Sequence, residues 1–348
     1  MSKAKVVLTG GTGYLGSQIL KVLLEKDYHV HLTSRNVEKT KELSWIKELE
    51  KKKKGEITFF SGDLTKEGSF DEAMKGAKYL IHAASPFKID KIKDAKKELV
   101  DPAVNGTKYA LDAATKSGSI EKVVLTSSLA AIYGDAVDKE EIEEDIFTEE
   151  HWNTSSSISH QPYSYSKVSA ELKAWKLSEG KSWKLVTINP GFIIGPSITK
   201  RTDSTSISFV LDMLRGKFKM GVPDLYFAVV DVRDVALAHV IAMENQKAEG
   251  RHICSNTTMS ALDMANTLRQ EVGDKYGEKL PKKNLPKWLT YLFAPILAGF
   301  SWNYLRKNLG IAIHFDNLKI KKMLGINFRP INTTFKDHVL QLEKDKLV

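Results

Sequence analysis

The amino-acid sequence predicts an α/β fold, a doubly wound parallel sheet with a smaller, mainly helical C-terminal lobe. Three features of the 348-residue chain point to it. Short β-branched runs alternate with segments of helical period through roughly the first 130 residues, the pattern of crossover units that cover both faces of a parallel sheet. The runs are almost continuously apolar, as strands buried on both sides are. Beyond residue 257 the alternation stops and helices and loops follow.

Residues 5–9 (KVVLT) read as a strand that runs into glycines, and 14–24 place apolar residues at helical spacing. A strand over 29–33, a helix over 39–49 and a strand over 57–60 come next. Residues 70–74 read as helix, 79–82 as strand, 102–114 as helix and 123–126 as strand. An acidic loop at 140–145 precedes a helix over 162–177, which carries Pro162 in its first turn, where a missing N–H does no harm. Residues 185–189 form another strand before the turn-rich NPGFIIGP, and 227–231 and 252–255 read as strands around a helix at 235–244. The chain thus divides into residues 1–190 plus about 227–256, and a second lobe of about 191–226 plus 257–348.

The formal charge of +9 raises the question of a polyanionic partner. Of 52 basic residues 44 are lysine and 8 arginine, whereas nucleic-acid readers lean on arginine for bidentate contacts. The one run, Lys51–Lys54, mixes with glutamates and has no interleaved aromatics, so it reads as a solvated helix end and no nucleic-acid partner is expected. Cys254 stands alone, which excludes an intramolecular disulfide and a cysteine-cluster metal site; no metal is expected. A single cysteine suits a reducing compartment. No segment reaches the ~20 apolar residues of a membrane span. MSKAKVVLTGG runs straight into the first strand, leaving no room for a leader, so a cytoplasmic location is expected.

TGGTGYLG sets Gly10, Gly13 and Gly16 directly after a strand and at the start of a helix. Glycines so placed permit a tight turn and close approach to a pyrophosphate, which the helix N-terminus then binds, with Thr12, Tyr14 and Leu15 in the same segment. The fold is therefore read as Rossmann-type with a dinucleotide cofactor. The second strand ends in HLTSRNVEK, without the carboxylate that would take the adenosine ribose hydroxyls. Arg35 stands there instead, with Lys39 one helical turn on, and both suit a 2′-phosphate, so NADP(H) is the expected cofactor. Asp63 and Leu64 after the third strand are placed to hold the adenine edge. The small residues Ala83, Ala84 and Ser85 after the fourth let the chain pass under ribose and nicotinamide.

Tyr163 and Lys167 stand four apart in PYSYSK and share one helix face. A lysine cation beside a phenol favours the phenolate and lowers its pKa by roughly one to three units, which suits proton exchange with an alkoxide. With 11 tyrosines and 44 lysines such a pair arises by chance about once, so the pair alone decides little. VVLTSS supplies the third member. It brings Thr126, Ser127 and Ser128 to a strand's carboxyl end, where doubly wound sheets meet their ligands.

At these residues the chain resembles the extended short-chain dehydrogenase/reductase family, in its dihydroflavonol reductase and cinnamoyl-CoA reductase branch. TGGTGYLG, HAASPF, PAVNGT, VVLTSS, PYSYSK, NPGFIIGP and VDVRDVA occur in the order of that branch, and the similarity spans essentially the whole chain. The resemblance implies Ser128, Tyr163 and Lys167 as the catalytic set, with Lys167 also on the nicotinamide ribose and Pro190 and Ile193 lining the nicotinamide. Phe87, Tyr133, Phe192 and Tyr226 are the expected substrate-pocket residues. It further implies a small carbonyl or alcohol substrate and a monomer or homodimer.

The serine pair is followed by LAAIYG, mostly apolar where plant flavonoid reductases carry polar residues, so an apolar carbonyl is the expected substrate. NADPH-dependent reduction of a ketone or aldehyde is thus the leading reading. The alternatives are a hydroxysteroid dehydrogenase or nucleotide-sugar epimerase on the same scaffold, or a non-catalytic NADP-sensing regulator. The greasy stretch 285–302 is proline-broken and too short to span a bilayer; it reads as a lobe helix or pocket lid, with a peripheral membrane or subunit contact as the alternative.

Overall fold

The computed structural model describes residues 4–52, 54–86, 92–297 and 299–348. The alternation begins with β1 (Lys5–Thr9), α1 (Tyr14–Glu25) and β2 (His29–Ser34). The single helix expected next is two, α2 (Val37–Lys41) and α3 (Ser44–Lys52). Asn36 caps α2 by accepting the Lys39 N–H at 2.9 Å, and the chain restarts at Leu43, whose carbonyl takes the Ile46 N–H at 3.0 Å. Then come β3 (Glu56–Ser61), α4 (Asp71–Met74), β4 (Tyr79–His82), α5 (Asp101–Ser117) and β5 (Lys122–Thr126). The acidic 140–145 segment lies in short 3-10 turns ahead of β6 (Ile146–Phe147) and α6 (Pro162–Ser178).

After β7 (Lys184–Pro190), the chain forms β8 (Phe192–Ile194), α7 (Thr205–Leu214), β9 (Tyr226–Asp231), α8 (Val232–Glu244) and β10 (Gly250–Cys254). The remainder is β11 (Thr257–Ser260), α9 (Ala261–Tyr276), α10 (Lys287–Leu297), α11 (Trp302–Asn308), β12 (His314–Phe315), α12 (Leu318–Leu324) and α13 (Ile331–Lys344).

Seven strands form one parallel sheet in the order β10-β7-β5-β4-β1-β2-β3. One face is covered by α1 and α8 through Ile19, Leu23, Val235 and Ala238, the other by α5 and α6 through Ala110, Leu111 and Ala174. Strand order reverses between β1 and β4, the crevice where such sheets take ligands. Of the two late strands only β10 joins this sheet. β9 lies in a second sheet, parallel to β8 and antiparallel to β11. That sheet, with α7, α9 and α13, has its own core of Ile207, Leu211, Val229, Met264, Leu268 and Phe335. The NPGFIIGP segment holds β8, which was hidden in the sequence because three residues between glycines show no period.

Five histidines are buried among the described residues, His31 and four whose pKa falls furthest. Burial pulls His82, His239, His252 and His338 each down to about 4 from the ordinary 6.5. Between those values the unfolded chain binds more protons than the folded one. Their contribution is therefore complete above about pH 6.5 and is lost as pH falls towards 4. The protein should melt at a lower temperature at about pH 5 than above about pH 7. Equal melting temperatures in calorimetry would mean that these rings are protonated inside the fold.

Candidate active site

The carboxyl ends of β1 and β4 meet backbone to backbone. Gly10 sits at φ +71°, and a Cβ there would lie 2.6 Å from the Ala84 nitrogen. A Cβ on Gly16 would run into the Gly10 carbonyl, so the first turn of α1 packs directly on the loop. The Gly13 N–H donates to the Gly10 carbonyl at 3.0 Å, and Gly13 caps α1 without a side chain, leaving first-turn N–H groups for an anion. Thr12 lies half-buried in this turn, and Leu15 packs on the core beneath it. The Tyr14 hydroxyl is committed elsewhere, donating to the Gly195 carbonyl at 2.6 Å, while the residue lines the cavity described below.

At the end of β2, Arg35 and Lys39 are both exposed. Hydrogen bonds from the Thr65 N–H and hydroxyl hold the Asp63 carboxyl below its usual range, with Lys66 and Arg35 adding to the effect. Leu64 packs against Gly106 and borders a small cavity with Ala84, Ser85, Thr126 and Lys167. The Ala84 N–H donates to Thr9 Oγ1 at 3.2 Å, fixing the loop after β4. Thr126 turns its hydroxyl away, towards His239 Nε2 at 2.7 Å. The Nδ1–H of His239 donates to the Val235 carbonyl at 2.8 Å, so its Nε2 accepts from the threonine.

Ser128 and Tyr163 line one cavity of about 330 Å³, together with Pro190, Phe192, Ile193 and Tyr133. Ser128 caps the 3-10 turn Leu129–Ala131, its Oγ accepting the Ala130 N–H at 3.1 Å and keeping its own hydrogen to donate. Tyr163 stands in the first turn of α6, and Lys167 is one turn behind it, Nζ 5.7 Å from the tyrosine ring centre. Lys167 Nζ donates to Ser85 Oγ at 3.1 Å, so it faces the small cavity rather than the large one. The expected lowering of the tyrosine is not what the protein does. Burial of the phenol pushes it up to about 12, and burial of the lysine pushes Nζ down to about 8, with Glu171 working against that fall.

One of the expected pocket residues stands apart. Tyr226 is not part of the lining; it packs against the cluster that holds Phe147, Ile253 and Ile313, and Phe227 takes its place with its ring 5.2 Å from Phe192. Neighbouring strand residues point to opposite faces, and two adjacent aromatics gave the sequence no means of choosing. Phe87 lies outside the described residues. Leu129, Gly191, Thr205 and Gln161 also line the cavity and carried no motif to reveal them. Gln161, at φ +55°, immediately precedes Pro162, and its side chain pins this strained turn by donating to the Gly134 carbonyl (2.7 Å) and Asp135 Oδ1 (2.6 Å). Asp135, fully buried, also accepts from His160, Lys307 and Asn308 at 2.7, 3.0 and 2.8 Å.

Behind the serine loop lies a buried ion pair. Glu171, one turn after Lys167, accepts from Arg251 Nε at 2.6 Å, Asn189 Nδ2 at 2.8 Å, and Thr187 Oγ1 and Trp175 Nε1 at 3.2 Å, and from Ser127 Oγ. Asn189 also donates to the Ser128 carbonyl at 3.2 Å. Arg251 stacks 3.8 Å from the Trp152 ring centre and donates to the Ala131, Glu149 and His151 carbonyls. Ser127 Oγ is thus committed to this ion pair, whereas Ser128 lines the cavity.

The profile of the NAD dependent epimerase/dehydratase family matches residues 6–254. A cinnamoyl-CoA reductase of Medicago truncatula is 31% identical over 98% of this chain and 96% of its own length. The tetraketide α-pyrone reductase 1 of Arabidopsis thaliana is 32% identical over 98% and 96%. Among solved structures, the yeast methylglyoxal/isovaleraldehyde reductase complexed with NADPH superposes at TM-score 0.80, with 28% identity over 99% of this chain and 100% of that one. With the glycine turn, the parallel sheet and these likenesses in place, the chain belongs to the NAD dependent epimerase/dehydratase family, the extended short-chain dehydrogenases/reductases.

Proposed function

We propose that this chain is a cytoplasmic NADPH-dependent carbonyl reductase that converts an apolar ketone or aldehyde to its alcohol, with Tyr163 as proton donor. An NADP-dependent oxidoreductase is the coarser statement that its relatives support directly. The convergence of Ser128 and Tyr163 on one cavity, with Lys167 behind the tyrosine, carries the finer one. The chain fits the cofactor: the bare glycine turn and the open first turn of α1 suit the pyrophosphate, Arg35 and Lys39 the 2′-phosphate, and Lys167 and Ser85 the nicotinamide end. NADPH, when bound, supplies the hydride.

The chain's own residues do the rest. Ser128 donates to the carbonyl oxygen and sets its angle. Tyr163, kept protonated by burial, gives its proton to the same oxygen as negative charge develops there. Lys167, with its pKa near 8, stays cationic at neutral pH and steadies the phenolate left behind. Leu129, Tyr133, Phe192 and Phe227 wall the cavity and favour an apolar substrate.

The test is cofactor oxidation over a panel of aldehydes and ketones, with NADPH and NADH in parallel. Apolar carbonyls should be turned over with NADPH preferred, and Arg35→Glu should shrink that preference by roughly tenfold or more, the worth of one charge-assisted contact. A flat panel would favour a non-catalytic NADP sensor, and an NADH preference would reopen the epimerase and hydroxysteroid readings.

A further inference from the structure

Helix α10 turns an apolar stripe outwards. Trp288, Leu292 and Phe293 are 67%, 51% and 45% exposed, while Thr290 and Ala294 on the opposite side are buried. α11 packs against α10 and exposes Trp302 by 67%. Isolated surface leucines need no explanation, but two tryptophans, a leucine and a phenylalanine on adjoining helices form a patch of the kind that marks an interaction surface.

The charge of this part of the chain is one-sided. Residues 279–315 contain six cations, Lys279, Lys282, Lys283, Lys287, Arg306 and Lys307, and not one aspartate or glutamate. Lys282 is paired with Glu278 at 3.1 Å and Lys307 with Asp135 at 3.0 Å. Lys279, Lys283 and Arg306 have no carboxylate partner among the described residues.

We propose that the outward faces of α10 and α11 are a docking surface for an anionic lipid bilayer, on which the enzyme sits peripherally. α10 has 11 residues with Pro295 inside it, and among the described residues no helix is long and apolar enough to cross a membrane. A short helix with exposed tryptophan and leucine on one side and unpaired cations around it is suited to lie in the headgroup plane. The aromatic rings enter the acyl boundary and the lysines meet the phosphates. A second copy of the chain is the poorer occupant. A twofold contact sets the same patch against itself and would bring two carboxylate-free basic segments together.

Flotation of the full-length protein with phosphatidylserine-containing vesicles tests this, against pure phosphatidylcholine vesicles and in about 0.5 M salt, where the Debye length shrinks to about 4 Å. We expect co-flotation with the anionic vesicles only, lost in high salt. The double variant Trp288→Glu/Leu292→Glu should bind them at least roughly tenfold more weakly, and the charge variant Lys283→Glu/Arg306→Glu similarly. NADPH binding and melting temperature should be unchanged in both variants, which separates lost docking from lost folding. Failure of the wild type to float, or equal binding by both variants, would overturn the proposal. So would a dimer in sedimentation that the same variants dissociate, if no vesicle binding accompanies it.

Discussion

Tyr163→Phe is expected to lower turnover by roughly 10²–10⁴-fold, the range contributed by a positioned general acid. The substitution removes one oxygen and leaves the ring that Lys167 faces at 5.7 Å, so α6 and the cavity wall keep their shape. NADPH affinity should stay near wild type, because the groups assigned to the pyrophosphate and the 2′-phosphate lie at the ends of β1 and β2, away from α6. Stopped-flow hydride transfer together with a cofactor titration separates these two expectations. Turnover retained in the variant would sink the assignment of the proton. The burial that holds the phenol near 12 sharpens the test, since the protonated form is the one required and is fully present at neutral pH.

Glu171→Ala should have the largest effect on stability. The carboxylate is fully buried and accepts from Arg251, Asn189, Thr187, Trp175 and Ser127, so its loss strands the Arg251 guanidinium, itself buried. Breaking a buried pair from one side costs about 3–5 kcal/mol. That is a large share of a typical stability of 5–15 kcal/mol, and the urea midpoint should fall accordingly. Glu171→Gln keeps the side-chain shape and part of the hydrogen bonding and should fall between the two. Activity should drop further than unfolding explains, since Asn189 joins this carboxylate to the Ser128 carbonyl. An unfolding free energy within about 1 kcal/mol of wild type would show that Arg251 finds other partners among the carbonyls it already meets.

Much of this was legible in the sequence because it rests on local rules. Gly10 and Gly16 announce a turn no other residue fits, and the apolar runs announce strands covered on both faces. Ser128, Tyr163, Pro190 and Phe192, each legible from a motif, line one cavity. What stayed hidden depends on contacts far apart in the chain. β8 is three residues long and takes its identity from β9. Glu171 reads as one more helix glutamate until Arg251, 80 residues on, arrives beside it. The tyrosine's raised pKa was also out of reach, because spacing reports the neighbouring charge and says nothing of how deeply both groups are buried.

The separate core of the small sheet bears on how such an enzyme changes its substrate over time. Phe192 and Phe227 belong to β8 and β9, and Thr205 to α7, whereas Ser128 and Lys167 are held by the large sheet and its helices. Replacements along this wall reshape the cavity while the seven-stranded sheet keeps its packing, so new specificities carry little penalty for the reaction itself. On the proposed reading, changes along this wall alter which molecule is recognised and leave the proton-donating groups in place, a division of labour that a single shared core would not allow.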